Sequence, residues 1–389
     1  MMETSETEVR YLDKIKFVIV GSGWRSLYYV RIAKALPEQF ELCAMLCRTH
    51  EKAEKMSEAY NIHTTTSIQE CKNSKPDFVV VVVNKTDIAK VSMEWLDYGF
   101  TVLCETPASL DTDILKKLWS MHKAGKKLVV AEQYTRYPTY RSMLKVLDSG
   151  IIGEPDCLNI SLAHEYHGSS LIRMFLHQSV DLQFTVRAKA YEFPTVETLN
   201  RYQRFTDGHI AHKKRTVAVF EFADGKAAFY DFDSEQYRSP IRKNYVKVQG
   251  CRGEMINDVF YYLDEDYRER QARLVTTDRI VDTGDLNPNL STVREIISIE
   301  LKDEDTNIKA VPVYEPAFGH CGLAEDETAI AGLMMDTADY TAGRNTAFMD
   351  MQLRRALQDS YTAVLLAQAV NTGRMAVSER QPWQYEQGV

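Results

Sequence analysis

Short apolar runs alternate with longer amphipathic stretches from residue 15 to residue 131. The apolar runs, each predicted to be a strand, are Val18–Val20, Glu41–Leu46, Phe78–Val83, Thr101–Cys104 and Leu128–Val130. The stretches between them, each predicted to be a helix, are Trp24–Leu36, Glu51–Tyr60, Asp87–Tyr98 and Leu110–Ala124. Strands that alternate with helices predict a parallel sheet that is covered on both faces. The run of valines that ends at Val83 indicates a central strand buried on both sides.

The loop after the first predicted strand has the sequence Gly21-Ser-Gly-Trp-Arg-Ser26. Gly21 suits a tight turn, and Gly23 lets the backbone approach a pyrophosphate at the start of a helix. Ser26 replaces the usual third glycine or alanine and is small enough for the helix to pack against the strand. In this strand–loop–helix setting the motif predicts a dinucleotide site, with a ligand-free turn as the alternative.

The end of the second predicted strand indicates which dinucleotide is bound. The sequence there is Leu46-Cys-Arg-Thr-His50 and lacks the acidic residue that binds an adenosine ribose. Arg48 is suited to a 2′-phosphate, with Thr49 donating a hydrogen bond. NADP is therefore favoured over NAD, and an exposed arginine without a ligand is the alternative.

The pattern changes after residue 155. Strand-like runs at Thr216–Phe222, Lys226–Asp231 and Asn244–Gln249, with Asp224-Gly225 as a hairpin signal, predict an open and mostly antiparallel sheet. A helix is predicted at Asp336–Tyr340. We therefore expect an α/β protein with a Rossmann domain over residues 1–135. An α+β domain for substrate binding and oligomerisation would occupy residues 136–389, with a C-terminal helix at 349–370.

Composition narrows the classes of function. The 389 residues are 44% apolar and 26% charged, with a net charge of −8, which argues against a general nucleic-acid or membrane-surface binder. No apolar run reaches about 18 residues, so no membrane span is expected. The N-terminal residues do not resemble a signal peptide, and the seven cysteines are scattered, some in apolar runs as Cys43 and Cys104 are. A cytoplasmic location is expected.

Four stretches are similar to the Gfo/Idh/MocA family of NAD(P)-dependent sugar and polyol dehydrogenases. They are the glycine loop, Gly99–Pro107, Ala131–Pro138 and Leu147–Pro155. The resemblance covers most of the chain and is best over residues 15–180. It implies a carbohydrate-like substrate, and a homodimer or homotetramer formed through the large sheet. In that family a lysine between the glutamate and the proline works at the reacting carbon, whereas Thr106 occupies that position here.

A second family motif also departs from the usual pattern. The family carries an aspartate and a histidine four residues apart on a helix that follows a glycine-rich turn. Gly168–His177 resembles this stretch, with Arg173 in place of the aspartate and His177 as the retained histidine. Residues four apart lie on one helix face, so both side chains are expected to face one cavity.

The densest acid–base cluster lies just upstream, in Ala163-His-Glu-Tyr-His-Gly168. Histidine is the side chain best suited to proton transfer near neutral pH, and a solvated loop is the alternative. A metal site formed by His164, His167 and the distant His320 is a further alternative, although the family generally works without metal, and no metal is expected.

The catalytic candidates are His177, His164, His167 and Tyr166. The candidates for substrate contact are Arg173, Tyr134 and His320. The candidates for cofactor contact are Gly21, Ser22, Gly23, Trp24, Arg25, Arg48, Thr49, Asn84, Glu105 and Thr106.

Three functions fit these residues. The leading one is an NAD(P)-dependent oxidoreductase for a sugar, cyclitol or glycoside with non-standard acid–base residues. The second is glycoside cleavage by transient oxidation and elimination, without net redox change. The third is a cofactor-binding sensor without catalysis, which the loss of the family lysine and aspartate would also explain.

Overall fold

The computed structural model describes residues 14–200, 203–281, 291–302, 308–314, 317–318 and 321–385. The N-terminal part forms a six-stranded parallel sheet in the order β3-β2-β1-β4-β5-β6. Its strands are β1 (Ile15–Val20), β2 (Phe40–Leu46), β3 (Thr64–Thr65), β4 (Phe78–Val81), β5 (Thr101–Cys104) and β6 (Leu128–Val130). Its helices are α1 (Ser26–Ala35), α2 (His50–Tyr60), α3 (Ile68–Asn73), α4 (Ile88–Asp97) and α5 (Thr112–Lys123). The predicted parallel sheet is confirmed, and only the short β3 and α3 were not predicted.

The centre of this sheet is buried on both faces, as the valine run indicates. All four residues of β4 are buried, and the ring of Phe78 stacks on Phe17 of β1 with the ring centroids 5.8 Å apart. The strand order changes direction between β1 and β4. Ligands of parallel sheets bind at such a switch point, outside the carboxyl ends of the strands.

The C-terminal part contains an eleven-stranded sheet in the order β16-β15-β14-β13-β12-β11-β7-β10-β9-β8-β17. Neighbouring strands are antiparallel except β7 and β10, which are parallel. The predicted hairpin is present between β9 and β10, where Gly225 has a φ of +88°. The strands are β7 (Pro155–Ser161), β8 (Phe184–Val196), β9 (Ile210–Phe222), β10 (Ala227–Asp233), β11 (Tyr245–Gly250), β12 (Gly253–Ile256), β13 (Val259–Leu263), β14 (Glu269–Val281), β15 (Ser291–Lys302), β16 (Ile308–Tyr314) and β17 (Ala376–Val377).

Four longer helices and two short 3₁₀ turns complete the described fold. The helices are α6 (Pro138–Leu147), α7 (Glu165–Phe175), α8 (Glu325–Thr341) and α9 (Thr346–Thr372), and the turns are Tyr134–Arg136 and Ser234–Tyr237. Helix α8 is much longer than predicted and packs on the N-terminal sheet, because its Ile330 and Met334 share a core with Phe17 and Ile19 of β1. The domain boundary at residue 135 stays a prediction. Among the described residues, no helix combines the length and apolarity needed to cross a bilayer.

Candidate nucleotide-binding and catalytic site

The two glycines of the loop after β1 have different surroundings. Gly21 has a φ of +114°, and a Cβ atom there would lie 2.0 Å from the carbonyl oxygen of Val82. A Cβ atom on Gly23 would meet no atom within 4 Å. Ser26 is fully buried, and its hydroxyl donates a hydrogen bond to the carbonyl of Gly23 (2.6 Å). Gly21 is therefore required by the protein's own packing, whereas Gly23 borders open space at the start of α1, which fits the approach of a pyrophosphate.

The end of β2 presents Arg48 to solvent. Thr49 is the N-cap of α2, where its hydroxyl accepts a hydrogen bond from the backbone N–H of Lys52 (3.2 Å). The geometry permits Arg48 to reach a ligand at this edge, and its selectivity for a 2′-phosphate stays a prediction. Asn84, the candidate after β4, is also exposed.

Arg25 and Glu105 bind each other inside the protein. The Arg25 Nε donates to Glu105 Oε1 (3.0 Å), and the Tyr29 hydroxyl donates to the same oxygen (2.7 Å). Asp326, at the start of α8, lies 3.6 Å from Arg25. Burial opposes the charge on Arg25, but the two carboxylates outweigh it and raise the pKa of the guanidinium well above its usual value. Both side chains predicted to contact a cofactor are thus engaged with protein groups, and their contact with a nucleotide stays a prediction.

Helix α7 differs from the expected glycine-rich turn followed by a helix. The helix begins at Glu165 with His164 as its N-cap and ends at Phe175, so Gly168 lies inside it. A Cβ atom on Gly168 would lie 2.6 Å from the ring of Tyr230, which explains the glycine by close packing. Arg173 and His177 do not share a helix face as expected, because the helix ends before His177, whose φ is +53°, but both side chains line one cavity.

The first turn of α7 brings several candidates together. His167 Nδ1 lies 2.7 Å from Glu132 Oε2, and its ring packs against Tyr134 with centroids 4.3 Å apart. The ring centroid of Tyr166 lies 4.5 Å from that of His167, and Lys85 Nζ lies 5.5 Å from the centroid of the Tyr166 ring. A cation, an aromatic hydroxyl and a histidine–carboxylate pair therefore meet at one place.

Thr106 and His164 belong to the same cluster. Thr106 lies close enough to the Tyr166 hydroxyl to lower the pKa of that phenol, which places the family's lysine position beside the first turn of α7. His164 Nδ1 lies 2.5 Å from the Tyr237 hydroxyl, and its Nε2 is buried without a hydrogen-bond partner.

Burial controls the protonation of this cluster. It lowers the pKa of His164 to about 2 and the pKa of His167 well below its usual value, so both imidazoles are neutral at neutral pH. Burial also raises the pKa of Glu132 to about 8 and the pKa of the Tyr166 phenol well above its usual value. At neutral pH the cluster thus combines two neutral histidines with a tyrosine that remains protonated.

His177 lies apart from this cluster. Its Nε2 is 3.1 Å from Asp148 and its Nδ1 is 3.5 Å from Glu154. His167 lies in the first turn of α7 and Phe175 ends that helix eight residues later, about 12 Å along its axis, so His177 lies beyond the other end of the helix. His177 and Arg173 line a large cavity that also includes Glu132, but His177 is not beside the other two histidines. His320 lies outside the described residues, and its contact with a substrate stays a prediction.

The sequence interpretation missed Lys85, Glu132, Tyr237 and Asp359. Lys85 and Glu132 follow β4 and β6, and their positions just beyond the carboxyl ends of parallel strands were a usable signal. Tyr237 and Asp359 had no local signal, because they come from a turn after β10 and from α9. Within the described part of the chain, no group of three or more His, Cys, Asp or Glu side chains is placed to hold a metal ion.

Fold and loop together define a Rossmann nucleotide-binding protein with a second α+β unit. Residues 15–134 match the family model of the Gfo/Idh/MocA oxidoreductases, described as "Oxidoreductase family, NAD-binding Rossmann fold". Over these residues the match confirms the resemblance to this family that its motifs indicate, and it supports the expectation of an oxidoreductase. No curated protein matches the chain in sequence.

Solved structures share the fold over nearly the whole chain. Apo scyllo-inositol dehydrogenase from Lactobacillus casei has 14% identity and a TM-score of 0.60, with 94% of this chain and 98% of that one covered. An Agrobacterium radiobacter oxidoreductase in complex with NAD+, L-tartaric acid and magnesium has 12% identity and a TM-score of 0.61, with 94% and 98% covered. An NAD-binding oxidoreductase from Klebsiella pneumoniae has 14% identity and a TM-score of 0.59, with 95% and 100% covered. At these identities the likeness shows the fold.

Proposed function

We propose that this protein is an NAD(P)-dependent oxidoreductase for a sugar, cyclitol or glycoside, in which His167 and Glu132 replace the family lysine as the proton-transfer system. The observation that carries the proposal is the 2.7 Å contact between His167 Nδ1 and Glu132 Oε2. The contact lies in the cluster that contains Thr106, the position at which the family lysine is missing.

The loop after β1 would hold the nucleotide, which supplies the hydride acceptor or donor when bound. The N–H groups at the start of α1 and the open side of Gly23 would accommodate the pyrophosphate. Arg48 at the end of β2 would lie toward the adenosine ribose. The carboxyl ends of β4 and β5, where Lys85 and Thr106 follow, would then border the reacting end of the cofactor.

His167 would move the proton. When Glu132 is ionised it accepts a hydrogen bond from Nδ1–H of His167, which leaves Nε2 able to take the proton of a substrate hydroxyl. The carboxylate fixes the orientation of the ring and stabilises the imidazolium that forms. In the direction of reduction the same nitrogen would return the proton.

Lys85 would supply the positive charge that the family places at Thr106. Its ammonium lies over the ring of Tyr166, where it would stabilise negative charge developing on the substrate oxygen. Lys85→Met should therefore lower kcat, by up to about 10²–10³-fold, the order expected when one electrostatic contact to the transition state is lost. Lys90→Met, which removes the same charge from the exposed face of α4, is the control. Equal kinetics for the two variants would exclude Lys85 from the reaction.

Arg48 should determine the preference for NADP. Arg48→Ala should weaken NADP binding by about 1–3 kcal/mol through the loss of a charge-assisted contact, and should leave NAD binding nearly unchanged. Fluorescence titration with both nucleotides measures the difference. An equal loss for NAD and NADP would mean that Arg48 does not bind a 2′-phosphate.

The overall function is tested by supplying NAD or NADP with neutral and acidic sugars, cyclitols and glycosides. Net formation of reduced nucleotide supports the dehydrogenase. Glycoside cleavage that requires nucleotide but leaves its redox state unchanged would instead support the elimination mechanism. Tight nucleotide binding without chemistry on any of these compounds would favour the sensor.

A homo-oligomer formed through the large sheet is also part of the proposal. One face of this sheet exposes large apolar side chains on three adjoining strands, namely Tyr191 and Phe193 of β8, Val217 of β9 and Phe229 of β10. Contiguous exposed apolar groups of this kind mark contact surfaces in many proteins.

A further inference from the structure

A cavity of about 770 Å³ lies among α6, α7, α8 and α9. Its walls carry an unusual number of guanidinium groups from three of these helices and from the turn before α6. They belong to Arg136, Arg141, Arg173 and Arg355. Glu132 lies in the same wall and connects the cavity to His167.

Two of the four guanidinium groups have carboxylate partners. Arg136 pairs with Asp336 (2.7 Å), and Arg173 pairs with Asp359 (2.5 Å). Across the residues that the structure describes, Arg141 and Arg355 form no ion pair. Arg355 is exposed to solvent, yet partial desolvation and the charges of Arg173 and Arg141 lower its pKa, with Asp359 acting in the opposite direction. Positive charge is therefore crowded at this end of the cavity.

The wall also carries Glu132, Asp148, Asp336 and Asp359, and the last three lie at ion-pair distance from His177, Arg136 and Arg173. Burial raises the pKa of Asp359 to about 7, although Arg173 and Arg355 act in the opposite direction, and burial raises the pKa of Glu132 to about 8. Three buried polar atoms among the lining residues also lack a hydrogen-bond partner. They are Nη2 of Arg136, Nε of Arg173 and Oε1 of Gln178. Buried donors without partners are costly, and a ligand that accepts hydrogen bonds would satisfy the two on the arginines.

We propose that this cavity binds the anionic group of the substrate, which is a sugar or polyol that carries a carboxylate or a phosphate. The guanidinium groups of Arg141 and Arg355 bind the anion, and the carbon that reacts lies toward Glu132 and His167. The assignment of the ligand as a substrate rests on the proposed function. The anion site itself rests only on the cavity and its charges.

The test compares the affinities of D-glucose, D-glucuronate and D-glucose 6-phosphate for the full chain by calorimetry, with and without NADP. At least one acid should bind about tenfold more tightly than glucose, as expected for one charge-assisted contact. Arg141→Met and Arg355→Met should each remove this preference. Lys145→Met is the control, because it removes a charge from α6 one turn beyond Arg141, at an exposed position outside the cavity wall. This variant should retain the preference for the acid. The more tightly bound acid distinguishes a carboxylate from a phosphate.

The outcomes separate this inference from the proposed function. Failure of both acids to bind more tightly than glucose, or an unchanged preference in both arginine variants, would overturn the anion site whatever the redox activity. An arginine-dependent preference in a chain that does not bind NAD or NADP would retain the anion site and refute the oxidoreductase. Thermal melting of each variant confirms that it remains folded.

Discussion

Replacing His167 with asparagine should lower kcat roughly 10²–10⁴-fold, the usual contribution of general acid–base catalysis. Asparagine still forms a hydrogen bond with Glu132 but cannot take a proton near neutral pH. Nucleotide affinity should change much less than turnover, because asparagine has a similar size and keeps a hydrogen bond to Glu132. The control is His63→Asn, since His63 also forms a 2.7 Å contact with a glutamate, Glu70, but on the exposed surface. Full turnover in the His167 variant would remove this residue from the mechanism.

The pH dependence gives a second readout of the same pair. Below about pH 8, Glu132 is protonated and donates to Nδ1 of His167, so Nε2 carries the hydrogen and cannot accept a proton. Above that pH the carboxylate accepts a hydrogen bond from Nδ1–H, so Nε2 carries no hydrogen and can accept a proton. Oxidation of the substrate should therefore rise through about pH 8, and Glu132→Gln should abolish this rise because the amide does not titrate. A rise that persists in the Gln variant would have to come from another group.

Replacing Gly23 with valine should reduce the affinity for NAD and NADP by at least about 100-fold while the protein stays folded. The new side chain meets no protein atom near its Cβ, so it occupies the space that the pyrophosphate requires, and the ligand loses both volume and backbone contacts. Nucleotide titration measures the affinity, and circular dichroism measures the folding.

The contrasting variant is Gly21→Val. Its Cβ would overlap the carbonyl oxygen of Val82, and the φ of +114° is unfavourable for any L side chain. This variant should lose stability before binding can be measured. Normal nucleotide binding by the Gly23 variant would show that the loop is only a turn.

Local sequence signals predicted most of the fold but only part of the candidate site. The strands β1, β4 and β5 were predicted because each is a short apolar run, and the two-residue β3 was not because it has no periodicity to detect. The bounds of α7 were placed wrongly because Gly168 resembles a turn residue, while in the structure it makes room for the ring of Tyr230.

The missed members of the site depend on contacts between distant parts of the chain. Asp359 pairs with Arg173 from a helix that lies 186 residues further along the chain, and no local pattern marks such a partner. His164, Tyr166 and His167 were chosen together because they are adjacent in sequence, and the structure keeps them adjacent. His177 was included through the family motif, and the early end of α7 separates it from them.

The packing of α8 on the first sheet limits where the chain can be cut to give a folded fragment. The segment that matches the family model ends at residue 134, yet Ile330 and Met334 of α8 cover part of its apolar core. A fragment that ends at residue 134 would expose that part of its core to water. It would also lack Asp326, which contacts Arg25 in the full chain. The nucleotide-binding half is thus a unit of sequence similarity but not a self-sufficient folding unit, because its last structural layer is supplied about 190 residues later in the chain.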